Sequence, residues 1–156
     1  MFKKVFNVLG INSHSENRQV EYRVMSQDEF IKMIDLHEKW LHGEPGGRAA
    51  NFNNRWLERI DIADADLRGV SFNTAILEDC TFINCRMHNC DFRGAAVRNC
   101  NFAHSELQSS EFYRAEVEGT TFAHAMMRNV TFVRSAIRQC NFLHVVGKPT
   151  FNQCSR

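Results

Sequence analysis

The sequence predicts an all-β solenoid, on three observations. Phenylalanine recurs every ten residues, at Phe72, Phe82, Phe92, Phe102, Phe112, Phe122, Phe132 and Phe142. Midway between these lie Leu77, Met87, Val97, Leu107, Val117, Met127 and Ile137, so the true period is five residues, with a large apolar side chain at each centre. A small or second apolar residue sits two places before each centre, and the register holds without a slip from 50 to 144. A period of five matches neither the 3.6 of a helix nor the 2 of an ordinary strand. One such unit is too short to bury its own apolar face, so self-similarity at this spacing requires neighbours to stack.

The chain divides into an N-terminal segment at 1–49, the array at 50–144 and a tail at 145–156. In the first segment, KVFNVL and QVEYRVM read as two strands around a polar loop at 11–18. Residues 26–41 read as a helix. Ser26 and Glu29 have the spacing of a capping box, and Phe30, Ile34, His37 and Leu41 follow at helical spacing with Trp40 beside them. Gly43, Pro45, Gly46 and Gly47 end it. A solenoid has open ends that invite unwanted strand pairing, and the expected role of this helix is to cap the first coil. In the array, Asn or Gly often closes a unit, as at Gly69, Asn84, Asn89, Gly94, Asn99, Gly119 and Asn129, and both tolerate tight corners. Arg55 is the one blemish, a charge where a small residue belongs. After His144 the repeat fails at Gly147 and Pro149, and the tail carries Val145, Val146 and Phe151 but no helix. It looks too short to cover the last coil, so an end-to-end homodimer through Phe142, Leu143, Val145, Val146 and Phe151 is expected.

Units such as ADLRG at 65–69, AILED at 75–79 and CDFRG at 90–94 carry a resemblance: the array resembles the pentapeptide-repeat family, whose consensus is A-(D/N)-L-x-x. The resemblance implies a right-handed quadrilateral β-helix with four units to a square coil. The centre residue and the one two before it then point inward. Nearly five coils follow, a rod roughly 23 Å long at the ~4.8 Å spacing of strands. C-terminal dimers occur in some members of that family.

Composition narrows the function classes. The formal charge of +1 leaves no strong field for nucleic acid, and no apolar run approaches membrane-spanning length. The start, MFKKVFNVLG, is a poor signal peptide, so a cytoplasmic protein with no direct contact to nucleic acid or membrane is expected. Six cysteines raise the question of disulfides or metal. Five of them, Cys80, Cys85, Cys90, Cys100 and Cys140, share the position two before the centre, where the other units carry Ala, Val, Ser or Thr. They read as small buried side chains, with Cys154 alone expected to be exposed. No cofactor and no metal is expected.

Residues twenty apart share a face, so function must be sought in columns. One runs Glu78, Arg98, Glu118, Arg138 and another Asp66, Arg86, Glu106, Met126, both readable as charge ladders that fix register. A nearly uncharged column, Ile83, Ala103, Ala123 and Leu143, is flanked by His104, His124 and His144. Stacked histidines suit a metal or a pH response, but no carboxylate accompanies them and the arrangement is linear. Trp56, Ile76 and Ala96 form a column that needs a cover, either the N-terminal segment or a partner. Acidic residues cluster at Asp61, Asp64, Asp66, Glu78 and Asp79, and again at Glu106, Glu111, Glu116 and Glu118. With Ile83 and Leu143 these are the candidate partner-binding residues.

No phosphate loop, nucleophile elbow or convergent Cys/His set is present. The expectation is a non-enzymatic protein–protein interaction module with an unidentified protein partner. One alternative is a DNA mimic acting on DNA gyrase or another DNA-binding enzyme, which the resemblance to quinolone-resistance pentapeptide proteins implies. Against it, the array carries ten Lys and Arg against eleven Asp and Glu, whereas phosphate mimicry needs a strong negative field. The other alternative is an accessory part of a phage or secretion-related particle.

Overall fold

A computed structural model describes residues 3–7 and 19–155, with side chains from Tyr22 onward. It is a parallel β-solenoid with four faces. Strand β1 (Lys3–Asn7) pairs antiparallel with β2 (Gln19–Met25), and helix α1 (Gln27–Leu41) follows. These are the two strands and the helix read from the sequence; Val8–Leu9 and the loop at 11–18 lie outside the described residues. The array then contributes β3 (Arg55–Glu58), β4 (Asp61–Ala63), β5 (Ile76–Glu78), β6 (Thr81–Ile83), β7 (Ala96–Arg98), β8 (Glu116–Glu118) and β9 (Ala136–Arg138). One face is a seven-stranded sheet ordered β1-β2-β3-β5-β7-β8-β9, in which Leu57, Leu77, Val97, Val117 and Ile137 lie in register. The adjacent face carries β4 and β6, continued by single bridges such as Thr81 with Asn101 and Asn101 with Thr121.

The interior follows from the ten-residue rhythm. With four units per coil, phenylalanine falls on two opposite faces. One column stacks Phe72, Phe92, Phe112 and Phe132 with ring centroids 4.8, 4.5 and 4.7 Å apart. The other stacks Phe82, Phe102, Phe122 and Phe142 at 5.2, 5.3 and 5.1 Å. The columns meet edge to face, as Phe92 does Phe102 at 5.9 Å and 87°. Both geometries are the ones aromatic quadrupoles favour. Leu67, Met87, Leu107 and Met127 fill a third side and are fully buried.

The position two before each centre has a second duty. Its side chain donates to a carbonyl of the preceding coil: Cys80 Sγ to Leu57 O (3.2 Å), Cys90 to Leu67 O (3.0 Å), Cys100 to Leu77 O (3.6 Å) and Ser110 Oγ to Met87 O (2.8 Å). Cys, Ser, Thr and Ala alternate there because the site needs a small side chain and rewards a donor. The thiols are free, and burial pushes Cys85 up to about 11 and Cys90 higher still. Cys85 and Cys90 are packing residues held away from thiolate chemistry.

Corners require a left-handed backbone. All seven predicted corner residues have it, for example Asn84 at φ 56° and Gly119 at 59°. Arg114 and Arg134 occupy the same conformation at φ 57° and 60° without the usual preference for it.

The structure corrects the C-terminal boundary. The array does not stop at His144 but continues to Ser155 through one unit shortened by a residue. Bridges join Thr131 to Thr150 and Ala136 to Ser155, nineteen residues apart instead of twenty. Phe151 lies on Phe132 at 5.2 Å and 7°, as the next rung of the first phenylalanine column. Gly147 stands where a large side chain is expected, and there the backbone closes on its neighbour, so that a Cβ would lie 2.7 Å from Arg128 N. Cys154, expected to be exposed, is half-buried in the usual position, donating to Phe132 O at 2.7 Å.

Candidate functional site

The N-terminal end is closed by α1. Ser26 and Glu29 form the capping box, and Phe30, Ile34 and His37 are buried beneath the helix. Phe30 stacks on Phe52 at 4.7 Å, so the helix supplies a first rung to the phenylalanine column. Polar side chains replace the missing coil. In the array, the residue before each centre donates its N–H to the preceding coil, as Thr81 N does to Ile60 O. On the first coil Asp61 lacks that partner, and the Gln27 amide clasps it from both sides: Asp61 N donates to Gln27 Oε1 (3.0 Å) and Gln27 Nε2 donates to Asp61 O (2.6 Å). His37 takes two more orphans: Ala50 N donates to its Nδ1 (3.1 Å), which leaves Nε2–H for Arg68 O (3.1 Å). Burial lowers the pKa of His37, which favours this neutral tautomer. Asp66 N reaches Glu38 Oε1 at 3.5 Å. On the fourth face β2 pairs parallel with β3 through Arg23–Met25. Arg55, half-exposed, sits opposite Arg23 in this register on the outermost coil.

The tryptophan column is covered from within the chain. Tyr22 and Val24 of β2 pack with Trp56, Ile76 and Ala96, and Trp56 is 1% exposed. It is not open to a partner.

The acidic candidates are largely engaged. Asp66 is buried, with Arg68 Nε and Nη2 at 2.8 and 2.7 Å and Arg86 Nη2 at 3.1 Å. Burial would raise its pKa, but the arginines outweigh burial and hold it below the ordinary value. Asp66 is therefore a structural anchor, not the accessible partner-binding residue that was expected. Glu106 meets His88 (3.3 Å), Glu111 lies 3.7 Å from Arg93, and Glu116 lies 3.4 Å from Arg98. Asp64 and Asp79 accept from the corner amides of Asn84 and Asn99 on the next coil. Glu78 follows Glu58 and precedes Arg98 in its column, and Glu118 precedes Arg138. The structure thus strings these acids along ladders on several faces and gathers no concentrated negative patch.

Ile83 is half-buried on the uncharged face with Ala103 and Ala123, and Leu143 ends the column 58% exposed. At the neighbouring corner the rings of His104, His124 and His144 stack at 4.9 and 5.0 Å. Among the described residues no group of three or more His, Cys, Asp or Glu is arranged to hold a metal ion.

The C-terminal end contrasts with the other. The last turn leaves an open bowl of about 840 Å³ lined by Ile137, Cys140, Phe142, Val145, Phe151 and Cys154, with Arg138 and Lys148 at its edge. Phe142 and Val145 are half-buried, while Leu143, Val146 and Phe151 are exposed at 58, 55 and 37%. All five residues expected at a dimer interface therefore lie on this turn. Backbone donors end there too. Gly119, Phe122 and His124 donate to Arg138 O (3.0 Å), Asn141 O (2.7 Å) and Leu143 O (2.9 Å), but among the described residues no further coil exists to accept from Gln139, Phe142 and His144. The edge is hidden in the sequence because residues 145–155 leave the five-residue frame by one residue. The nine-residue step from Phe142 to Phe151 is the signal that the coil continues.

Comparison with known proteins gives a family. A family model for the pentapeptide repeat region matches residues 55–142. No curated protein sequence matches the chain. Similar solved structures include full-length QnrB1, a plasmid-mediated fluoroquinolone resistance protein, at 19% identity and TM-score 0.49, over 55% of this chain and 43% of that one. A pentapeptide repeat protein from the thylakoid lumen of Arabidopsis thaliana has 12% identity and TM-score 0.37, over 56% and 61%. Rfr23 from the cyanobacterium Cyanothece 51142 has 15% identity and TM-score 0.24, over 66% and 65%. The chain thus spans less than two thirds of the length of each of these.

Proposed function

The chain belongs to the pentapeptide-repeat family, and on that footing we propose that it is a non-enzymatic protein-interaction module whose contact surface is the last turn of the solenoid. One observation carries the reading: among the described residues, the exposed large apolar side chains of the solenoid are Leu143, Val146 and Phe151 on the last turn, where Phe151 lines the open bowl, and Met126 on the turn before. Apolar surface left at the end of a stacked core is the usual mark of a contact site.

Affinity capture with the full chain, with cross-linking in the native cells and mass spectrometry, tests it. A defined protein cross-linked to the last turn is expected, and lost in Leu143→Asp with Val146→Asp while circular dichroism is unchanged. Capture unaffected by that double substitution overturns the location. The DNA-mimic reading is the weaker one. Of the carboxylates it would use, Asp66 is enclosed by Arg68 and Arg86, and Glu111 and Glu116 lie beside Arg93 and Arg98. In a gyrase supercoiling assay the protein is expected neither to inhibit nor to protect against a quinolone. An accessory role in a larger particle is a special case of the interaction reading, distinguished by co-purification with that particle.

A further inference from the structure

We propose that the open C-terminal turn docks an extended, acidic and apolar segment of another protein, added to the solenoid as one more strand. This deepens the interaction role proposed above. Three observations converge on it.

The first is the edge. Gln139, Phe142 and His144 continue rows of donors whose earlier members are all satisfied by the next coil. An extended peptide satisfies such a row; a globular surface without a free strand does not. The molecule already uses this solution at its other end, where β2 joins β3 through only three residue pairs.

The second is the bowl. Phe142, Val145 and Phe151 offer apolar surface directly beside the edge. In a strand alternate side chains face one side, so an added segment places every second residue over this surface, as Met25 of β2 is buried over the first coil.

The third is charge. No Asp or Glu follows Glu118, whereas Arg128, Arg134, Arg138, Lys148 and Arg156 do. Arg138 and Lys148 line the bowl itself. End-to-end pairing of two copies would bring two such cationic rims together, while an acidic segment complements one. The expected homodimer is thereby disfavoured relative to a foreign acidic strand.

Panning the immobilised full chain against a random-peptide display library tests the proposal. Expected are peptides that alternate apolar residues with Asp or Glu. Synthesised, they should bind one to one and slow amide exchange at Gln139, Phe142 and His144. Arg138→Glu with Lys148→Glu should weaken them ~tenfold or more, with the loss shrinking as salt rises. No enrichment, enrichment of neutral or basic peptides, or binding without protection of those amides overturns the proposal. So does sedimentation showing a dimer that protects the same amides, because a second copy is then the occupant. So does laurate filling the bowl while no peptide is selected. Cellular capture that persists while the library yields nothing leaves the interaction role standing and removes this edge as its site.

Discussion

Helix α1 and strand β2 close the first turn of the solenoid, whereas the last turn leaves its core and its edge exposed. Both ends are cut from the same repeat, so the repeat does not by itself decide how an end behaves. At the first turn Phe30 continues the aromatic column and Gln27, His37 and Glu38 stand in for a missing backbone. At the last, Phe151 continues the same column but nothing among the described residues lies over it. Closing a β-solenoid therefore takes two separate things, an apolar lid and a set of hydrogen-bond partners. The N-terminal segment brings both.

The largest test of this contrast is Phe30→Ala. Removing a fully buried ring from the closed end should cost about 3–5 kcal/mol, as should Phe102→Ala in the middle of the rod. Phe151→Ala at the open end should cost about 1 kcal/mol or less, since the ring is already partly in water. Equal shifts in denaturation midpoint at the two ends would break the comparison. Next comes His37→Leu. It strands Ala50 N–H and Arg68 C=O under the helix, at about 1–3 kcal/mol for each group left unpaired, read by urea denaturation. A neutral outcome would mean that water reaches the cap.

Acid should act on the closed end through the same residue. The folded pKa of His37 is depressed by burial, so below its unfolded value of about 6.5 the unfolded chain binds the extra proton. Stability from this group is full above that pH. It falls as pH drops towards the folded pKa, by at most about 1.4 kcal/mol per pH unit. A denaturation series from neutral pH downward should show a slope that flattens in His37→Gln. An unchanged slope would remove His37 from the account. The smallest effect is expected for Gln27→Ala, about 1 kcal/mol, with faster exchange at the Asp61 amide as the local readout.

Much of this was legible in the residues, for a physical reason. A five-residue unit with an invariant inward centre leaves no freedom of register, so the phenylalanine columns, the left-handed corners and the charge ladders could be placed from spacing alone. The cap was legible as a helix because Ser26, Glu29 and the Phe30–Ile34–His37 spacing are local signals. The partners of its polar side chains were not, since Gln27 meets Asp61, 34 residues away, only after the coil has closed. Asp66 read as an accessible acid because spacing places Arg68 in its unit and Arg86 in its column without showing that both guanidinium groups close over it. The continuation to Ser155 was hidden by a single missing residue, which shifted Phe151 and Cys154 out of the counting frame while leaving them in place in space.

The ladder itself has a consequence for how the molecule is made. From the first coil onward bridges join residues twenty apart, or nineteen at the last turn, so every added turn closes a loop of nearly the same length at nearly the same entropic cost. Folding can then proceed as growth on a template, turn upon turn, in the order in which the ribosome delivers the chain. The helix and strand that emerge first provide the seed. Each finished turn is the surface on which the next one is laid.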